Sequence, residues 1–203
     1  MNSTIQAIIF DFGGVLLDWD PRYLYQNHFS DKQAMESFLA EINFFDWNAL
    51  QDKGRTFKTG ISELSAQFPH HTNLIQAFYD RWEDSISGSI PGTVDILHLL
   101  KQQGYPLYGL SNWSTETFPR AMQSYPFFEL FVEIILSGDV NLLKPDPAIF
   151  NLLLSNIGRL APECLLIDDS QPNIDSAKEL GFSTIHFVSP KQLRVELNRL
   201  NLL

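Results

Sequence analysis

Four polar groups stand directly behind apolar runs in this sequence. Asp11 follows Ala7-Ile8-Ile9-Phe10, Ser111-Asn112 follows Leu107-Tyr108-Gly109-Leu110, Asp168-Asp169 follows Leu165-Leu166-Ile167, and Lys144 precedes Pro145. An aspartate can attack a phosphoryl group or a halogenated carbon and form a covalent intermediate that water later cleaves. Attack on phosphate brings two anions together. A magnesium ion shared by one or two carboxylates and the phosphate would offset their repulsion, with a backbone carbonyl and water completing its shell. Asp11, Asp168 and Asp169 supply enough carboxylates for this. Lys144 can stabilise charge on nucleophile and phosphate, and the Ser111 hydroxyl and the amides after it are candidate donors to phosphate oxygens. Each piece alone has a plainer explanation: a lysine before proline is usually solvated, a Ser-Asn pair usually turns or caps, and an Asp-Asp pair is usually loop.

The elements that would position these groups alternate along the chain. Ala7–Phe10 reads as a buried parallel strand closed by Gly13-Gly14. Val94, Leu97 and Leu100 form a helical face ended by Gly104, before the strand that leads into Ser111. Ile134-Ile135-Leu136 is a further strand, and Ile149, Phe150, Leu153 and Ile157 lie on a helix stopped by Gly158. Leu165–Ile167 is the next strand, followed by a helix carrying Ile174, Ala177 and Leu180 and by a last strand, Thr184–Phe187, with Ser189-Pro190 opening a final helix. Such alternation calls for an α/β fold, a parallel sheet with helices on both faces, whose ligands bind at the carboxyl ends of the strands. The segment 17–89 breaks the pattern, with no strand signal and with helical stretches such as Met35–Ile42 and Ile61–Phe68. It reads as an α-helical cap inserted into a core made of 1–16 and 90–203.

Composition narrows the partners. A formal net charge of −10 over 203 residues argues against nucleic acid or an anionic membrane. Residues 1–6 lack a signal-peptide pattern and no apolar run approaches ~18 residues, so a soluble, cytoplasmic protein is expected. The single cysteine, Cys164, falls in an apolar run and fits a reducing compartment.

The runs IIFDFGGVL, LSN, KPD and LIDDSQPNI, in this order and at strand ends, resemble the four motifs of the haloacid dehalogenase superfamily. The resemblance implies a Rossmann-like core with a helical cap, Mg2+ as cofactor and a small phosphorylated metabolite as substrate. By it, Asp11 is the nucleophile and a metal ligand, Lys144 the charge-stabilising lysine, and Ser111, Asn112, Trp113 and Gly14 the phosphate- and substrate-binding residues. Asp169 resembles the direct metal ligand, Asp168 one acting through water, and the Gly13 carbonyl a further ligand. Asn173 either orients this loop or caps its helix.

One departure concerns Gly13. Phosphatases of the superfamily carry an aspartate there that protonates the leaving group, a step whose loss typically costs ~10²–10⁴ in rate. A branch with glycine at this position includes phosphatases of sugar 1-phosphates, which this chain resembles. Asp18 and Asp20 follow closely but suit a helix cap before Pro21 better. Two other readings stand beside the phosphatase. Haloacid dehalogenases use the same nucleophile, but resemble one another in a tyrosine at Gly13 and in lacking the paired acids; a non-catalytic phosphate- or metal-binding protein would have lost turnover with its acid. Of the remaining residues, Lys53, Arg55 and Lys58 suit a solvated turn and His70-His71 a surface loop. Trp113 suits a pocket wall, whereas Trp19, Trp47 and Trp82 suit packing within the cap.

Overall fold

The computed structural model describes residues 5–203; the first four residues of the expected core, and with them most of the N-terminal segment read for a signal peptide, lie outside the described residues. Five parallel strands form the main sheet: β1 (Ala7–Phe10), β4 (Leu107–Ser111), β5 (Glu133–Leu136), β6 (Cys164–Asp168) and β7 (Ser183–His186), in the order β5-β4-β1-β6-β7. Alternate residues point to opposite faces and both faces are buried. Ile8, Phe10, Leu107, Leu165 and Ile167 join one apolar cluster, and Ala7, Ile9, Leu110, Cys164 and Leu166 join the other. This two-sided burial is why the strands read as continuous apolar runs. The helices α6 (Pro91–Gln102) and α11 (Pro190–Arg199) cover the first face through Ile96, Leu97, Leu100, Leu193 and Leu197. On the second face lie α9 (Pro147–Ile157), through Ile149, Phe150 and Leu153, and α10 (Gln171–Glu179), through Ala177. Two short helices, α7 (Phe118–Ser124) and α8 (Ser137–Val140), follow β4 and β5.

Between β1 and α6 the chain builds five helices: α1 (Pro21–Tyr25), α2 (Lys32–Glu41), α3 (Phe44–Asp52), α4 (Phe57–Gln67) and α5 (Thr72–Asp80). Their starts are written in side chains: Asp20, Asp31 and Thr56 accept hydrogen bonds from Arg22, Ala34 and Thr59 amides. Tyr25, Phe38, Phe44, Trp47, Phe57 and Phe78 pack together inside this layer, with Tyr25 and Phe38 ring centroids 5.0 Å apart and Phe44 and Phe78 4.8 Å apart.

Contrary to the expectation of no strand here, the segment is bracketed by an antiparallel ribbon of β2 (Leu17–Trp19) and β3 (Ile86–Ser89), with an irregularity between Asp18 and Trp19. Three- and four-residue strands, one of them Ile-Ser-Gly-Ser, are too short and polar to show a period. They pair because the chain enters and leaves the helical layer side by side. His70 and His71 lie at the surface, where they end a 3-10 turn, Pro69–His71, and both rings meet Glu41 at 3.1 Å. Among the described residues, no helix is long and apolar enough to cross a membrane.

Candidate active site

β1 lies between β4 and β6, so Asp11, one residue past β1, sits between Ser111 and Asp168, the last residues of its neighbours. The Ser111 hydroxyl and the Phe12 amide donate to Asp11 Oδ1 at 2.8 and 2.7 Å. Lys144 Nζ stands 3.0 Å from Asp11 Oδ2 and 2.6 Å from Asp168 Oδ2. Asn112 holds this lysine: its Oδ1 accepts from the Lys144 amide at 2.8 Å and its Nδ2 donates to the Lys144 carbonyl at 2.9 Å. The amide expected to meet phosphate is thus committed to positioning the lysine, although Asn112 still lines the cavity.

The two adjacent acids differ sharply. Asp168 is fully buried and, besides Lys144, accepts from the Ser170 amide and from Asn173 Nδ2 at 2.8 to 3.1 Å. Asn173 therefore orients the loop rather than capping α10, whose N-cap is Ser170. Asp169 is exposed and reaches over Gly14. A Cβ on Gly14 would lie 2.2 Å from Asp169 Oδ2, and φ there is +73°, so glycine is required both for the turn and for the close approach. Gly14, placed by the resemblance among the phosphate- and substrate-binding residues, donates its amide to the Leu17 carbonyl at 2.8 Å. Over Gly13 there is open space, with no atom within 4 Å of where a Cβ would stand.

Burial, and then the neighbouring Asp168 and Asp169, push the Asp11 carboxyl above its ordinary range against the opposing pull of Lys144. Partial burial and Asp168 raise Asp169 likewise. Burial works against the Lys144 ammonium, but Asp11 and Asp168 outweigh it and hold its pKa above the usual value. Asp11, Asp168 and Asp169 bring one carboxylate oxygen each within 4.8 Å of one another. Three carboxylates against one ammonium leave an uncompensated negative charge, and every candidate donor is oxygen, the set a hard divalent cation such as Mg2+ prefers. The residues present fit that ion.

These groups floor a cavity of about 470 Å³ that the sheet edge and the helical segment share. Trp113 lines it, its indole Nε1 donating to Thr117 Oγ1 at 3.0 Å. Trp19 and Trp82, assigned from sequence to packing, line it too, and the Trp82 ring centroid is 5.3 Å from that of Trp113; Trp47 is packing. Lys53, Arg55 and Lys58 are not among its lining residues, and Arg55 is bound to Gln51 and Glu63. Asp20 caps α1 and holds the Arg22 guanidinium at 3.2 Å, whereas Asp18 accepts from the Tyr23 hydroxyl at 3.0 Å.

Arg22, Phe45, Asn48 and Asp52 line the cavity and were not singled out in the sequence. Burial raises the Asp52 carboxyl to about 8, the Ser114 amide pulling the other way. The Asn48–Asp52 spacing, one helical turn, was the available signal, but a polar pair near a helix end reads equally as a solvated face.

The family model for haloacid dehalogenase-like hydrolases matches residues 5–181. The chain belongs to this family. Among its relatives, the sesquiterpene phosphatase astK of Aspergillus oryzae is 25% identical over 98% of both chains. The phosphoglycolate phosphatase of Aliivibrio fischeri is 32% identical over 47% of this chain and 42% of its own. The fold is similar to that of a haloacid dehalogenase-family enzyme from Bacteroides thetaiotaomicron, solved in complex with magnesium and inorganic phosphate, with a TM-score of 0.74 and 23% identity over 91% of this chain and 95% of that one. As a member of the family the protein is a hydrolase.

Proposed function

We propose that this hydrolase is a Mg2+-dependent phosphatase of small phosphorylated metabolites, working through an aspartyl-phosphate on Asp11. The observation that carries the reading is the excess of carboxylate: Asp169, laid across the Gly14 backbone beside Asp11 and Asp168, enters no ion pair among the described residues, whereas Lys144 is engaged by the other two. A haloacid is itself an anion, so for a dehalogenase this excess would be a repulsive wall, whereas a metal-assisted phosphatase uses it.

Asp169 is the fitting direct ligand, since the oxygens of Asp168 are taken up by Lys144, Ser170 and Asn173. Asp11 would supply another ligand oxygen, with the Gly13 carbonyl nearby. When bound, Mg2+ would neutralise charge between nucleophile and phosphate. Asp11 attacks phosphorus, Lys144 stabilises the charge that gathers there, and Ser111 holds Asp11 Oδ1 and can turn its hydroxyl to a phosphate oxygen. Residues 17–89 act as a cap over a core of 1–16 and 90–203, excluding bulk water and selecting the substrate. The sugar 1-phosphate resemblance suits a cavity of about 470 Å³ with Trp19, Trp82 and Trp113 in its walls.

The test is phosphate release from sugar 1-phosphates, other small esters and an aryl phosphate, with and without Mg2+, for wild type and Asp11→Asn. Magnesium-dependent release that Asp11→Asn abolishes is expected. Release from none of the esters, together with halide release from haloacids, would replace the phosphatase by a dehalogenase.

A further inference from the structure

With glycine at position 13, the side of the nucleophile loop where the family's proton donor would stand is open space. The other proton-bearing groups around the cavity are engaged. Ser111 donates to Asp11, Lys144 is locked between Asp11 and Asp168, Asp169 belongs to the metal cluster, and Asp20 accepts from the Arg22 amide and guanidinium. Asp52, the last residue of α3, enters the same cavity from the helical segment.

Its placement is built rather than incidental. Asn48 Nδ2, one turn earlier, donates to Asp52 Oδ2 at 2.8 Å. The Asp52 carbonyl accepts from the Ser137 hydroxyl, whose oxygen accepts from the Trp113 amide at 2.9 Å. Two residues on, Gly54 adopts φ +103° and packs so closely on α8 that a Cβ would lie 3.0 Å from the Gly138 carbonyl. The Phe57 amide then donates to Glu116 at 2.8 Å. The end of α3 is thereby docked on the loop that begins with Ser111-Asn112, and Asp52 lines the same cavity as Asp11, Ser111 and Lys144.

We propose that Asp52 is the catalytic acid and base of this enzyme, delivered by the helical segment in place of the missing aspartate at Gly13. The proposal rests on the phosphatase reading above. In the first step an Asp11 oxygen bonds to phosphorus, the bond from phosphorus to the ester oxygen breaks, and the Asp52 proton passes to that oxygen, leaving an alcohol and an Asp52 carboxylate. In the second, the carboxylate takes a proton from water as the water oxygen bonds to phosphorus and the Asp11–phosphorus bond breaks. This releases phosphate and restores both acids. Burial supports the role by keeping the Asp52 carboxyl protonated up to about 8. The charged groups that share its surroundings are Arg22 and Asp20 from the helical segment, Asp11, Lys144 and Asp169 from the sheet edge, and Glu116 on the docking loop. Placing the acid on the helical segment also couples proton transfer to docking, because an undocked α3 carries the proton away from the nucleophile.

The experiment is steady-state kinetics with substituted phenyl phosphates in Mg2+, from p-nitrophenyl to unsubstituted phenyl phosphate, for wild type, Asp52→Asn and Asp11→Asn. For Asp52→Asn, kcat/KM on phenyl phosphate should fall by ~10²–10⁴-fold, but by less than about tenfold on p-nitrophenyl phosphate, whose leaving group needs little protonation. Wild-type kcat/KM on phenyl phosphate is expected to fall on the alkaline side near pH 8, and this fall should disappear in the variant. Equal losses on all esters with an unchanged pH profile would show a merely structural Asp52 and overturn the proposal. Urea unfolding of the variant separates this from misfolding. If wild type releases phosphate from none of the esters, or Asp11→Asn is as active as wild type, the phosphatase reading itself falls, a failure that the Asp52 comparison does not mimic.

Discussion

Among the described residues, Lys144 is the cation paired within a knot of three carboxylates, and its ammonium is almost fully buried beside Asp11 and Asp168. Removing one partner of a buried pair leaves charge uncompensated, which typically costs about 3–5 kcal/mol. Lys144→Met should therefore lower stability by roughly that amount in a urea titration at neutral pH, and Mg2+ should recover part of the loss by binding only the folded state. A variant as stable as wild type without Mg2+ would mean that the carboxylates take up protons rather than relying on the lysine. At this scale the sequence was informative about residue types and silent about partners. Asn112 was expected at phosphate because it follows Ser111, yet its amide is committed to the Lys144 backbone, 32 residues away. No local pattern encodes such a pairing.

The turn after β1 is the element on which the site depends most. Phe12, next to the nucleophile, is anchored by Phe128 and Phe131, with centroids 5.0 and 5.3 Å from its own. Its ring also occupies the space a Cβ on Gly109 would need, reaching within 2.3 Å of that position. The Phe12 carbonyl accepts from the Leu16 and Leu17 amides at 2.8 and 2.9 Å, closing the turn, and Gly14 completes it in the left-handed region. An alanine at that backbone conformation costs roughly 1–2 kcal/mol, before its clash with Asp169 is counted. Gly14→Ala should lower the urea midpoint and, by displacing the Asp169 carboxylate, weaken Mg2+ binding measured by calorimetry. Unchanged Mg2+ affinity would remove Asp169 from the ligand set. The long apolar strands and the glycine stops of α9 and α10 were legible because buried parallel strands and left-handed helix ends leave strong marks. The β2–β3 ribbon was not, since its pairing joins residues far apart in sequence through strands too short for a period.

At the level of the whole molecule, docking of the helical segment on the sheet edge makes the cavity and sets the state of Asp52. Its folded pKa, about 8, lies above the ordinary carboxylate value of 3.8. The sign of the linkage follows. Below the unfolded value both states are protonated and no stability is lost; as pH rises from about 4 to about 8, the unfolded chain releases a proton that the folded one keeps, and folding weakens. Asp52→Asn has no proton to release, so its stability advantage over wild type should grow across this window and level off above it. Urea midpoints of both proteins between pH 4 and 9 check this, and parallel curves would show that Asp52 titrates normally.

The sequence alone determined the α/β class, the family and the residues gathered around Asp11. Those residues follow strands, and a parallel sheet must bring its strand ends to one edge. Only the tertiary structure showed which side chains are already engaged: Asp168 by Lys144, Ser170 and Asn173, and Asn112 by the Lys144 backbone, while Asp169 is exposed beside Gly14 and Asp52 lines the cavity from the end of α3. Burial and long-range hydrogen bonds set those assignments, and both depend on how the helical segment meets the sheet, a relation that periodicity and motif spacing do not record.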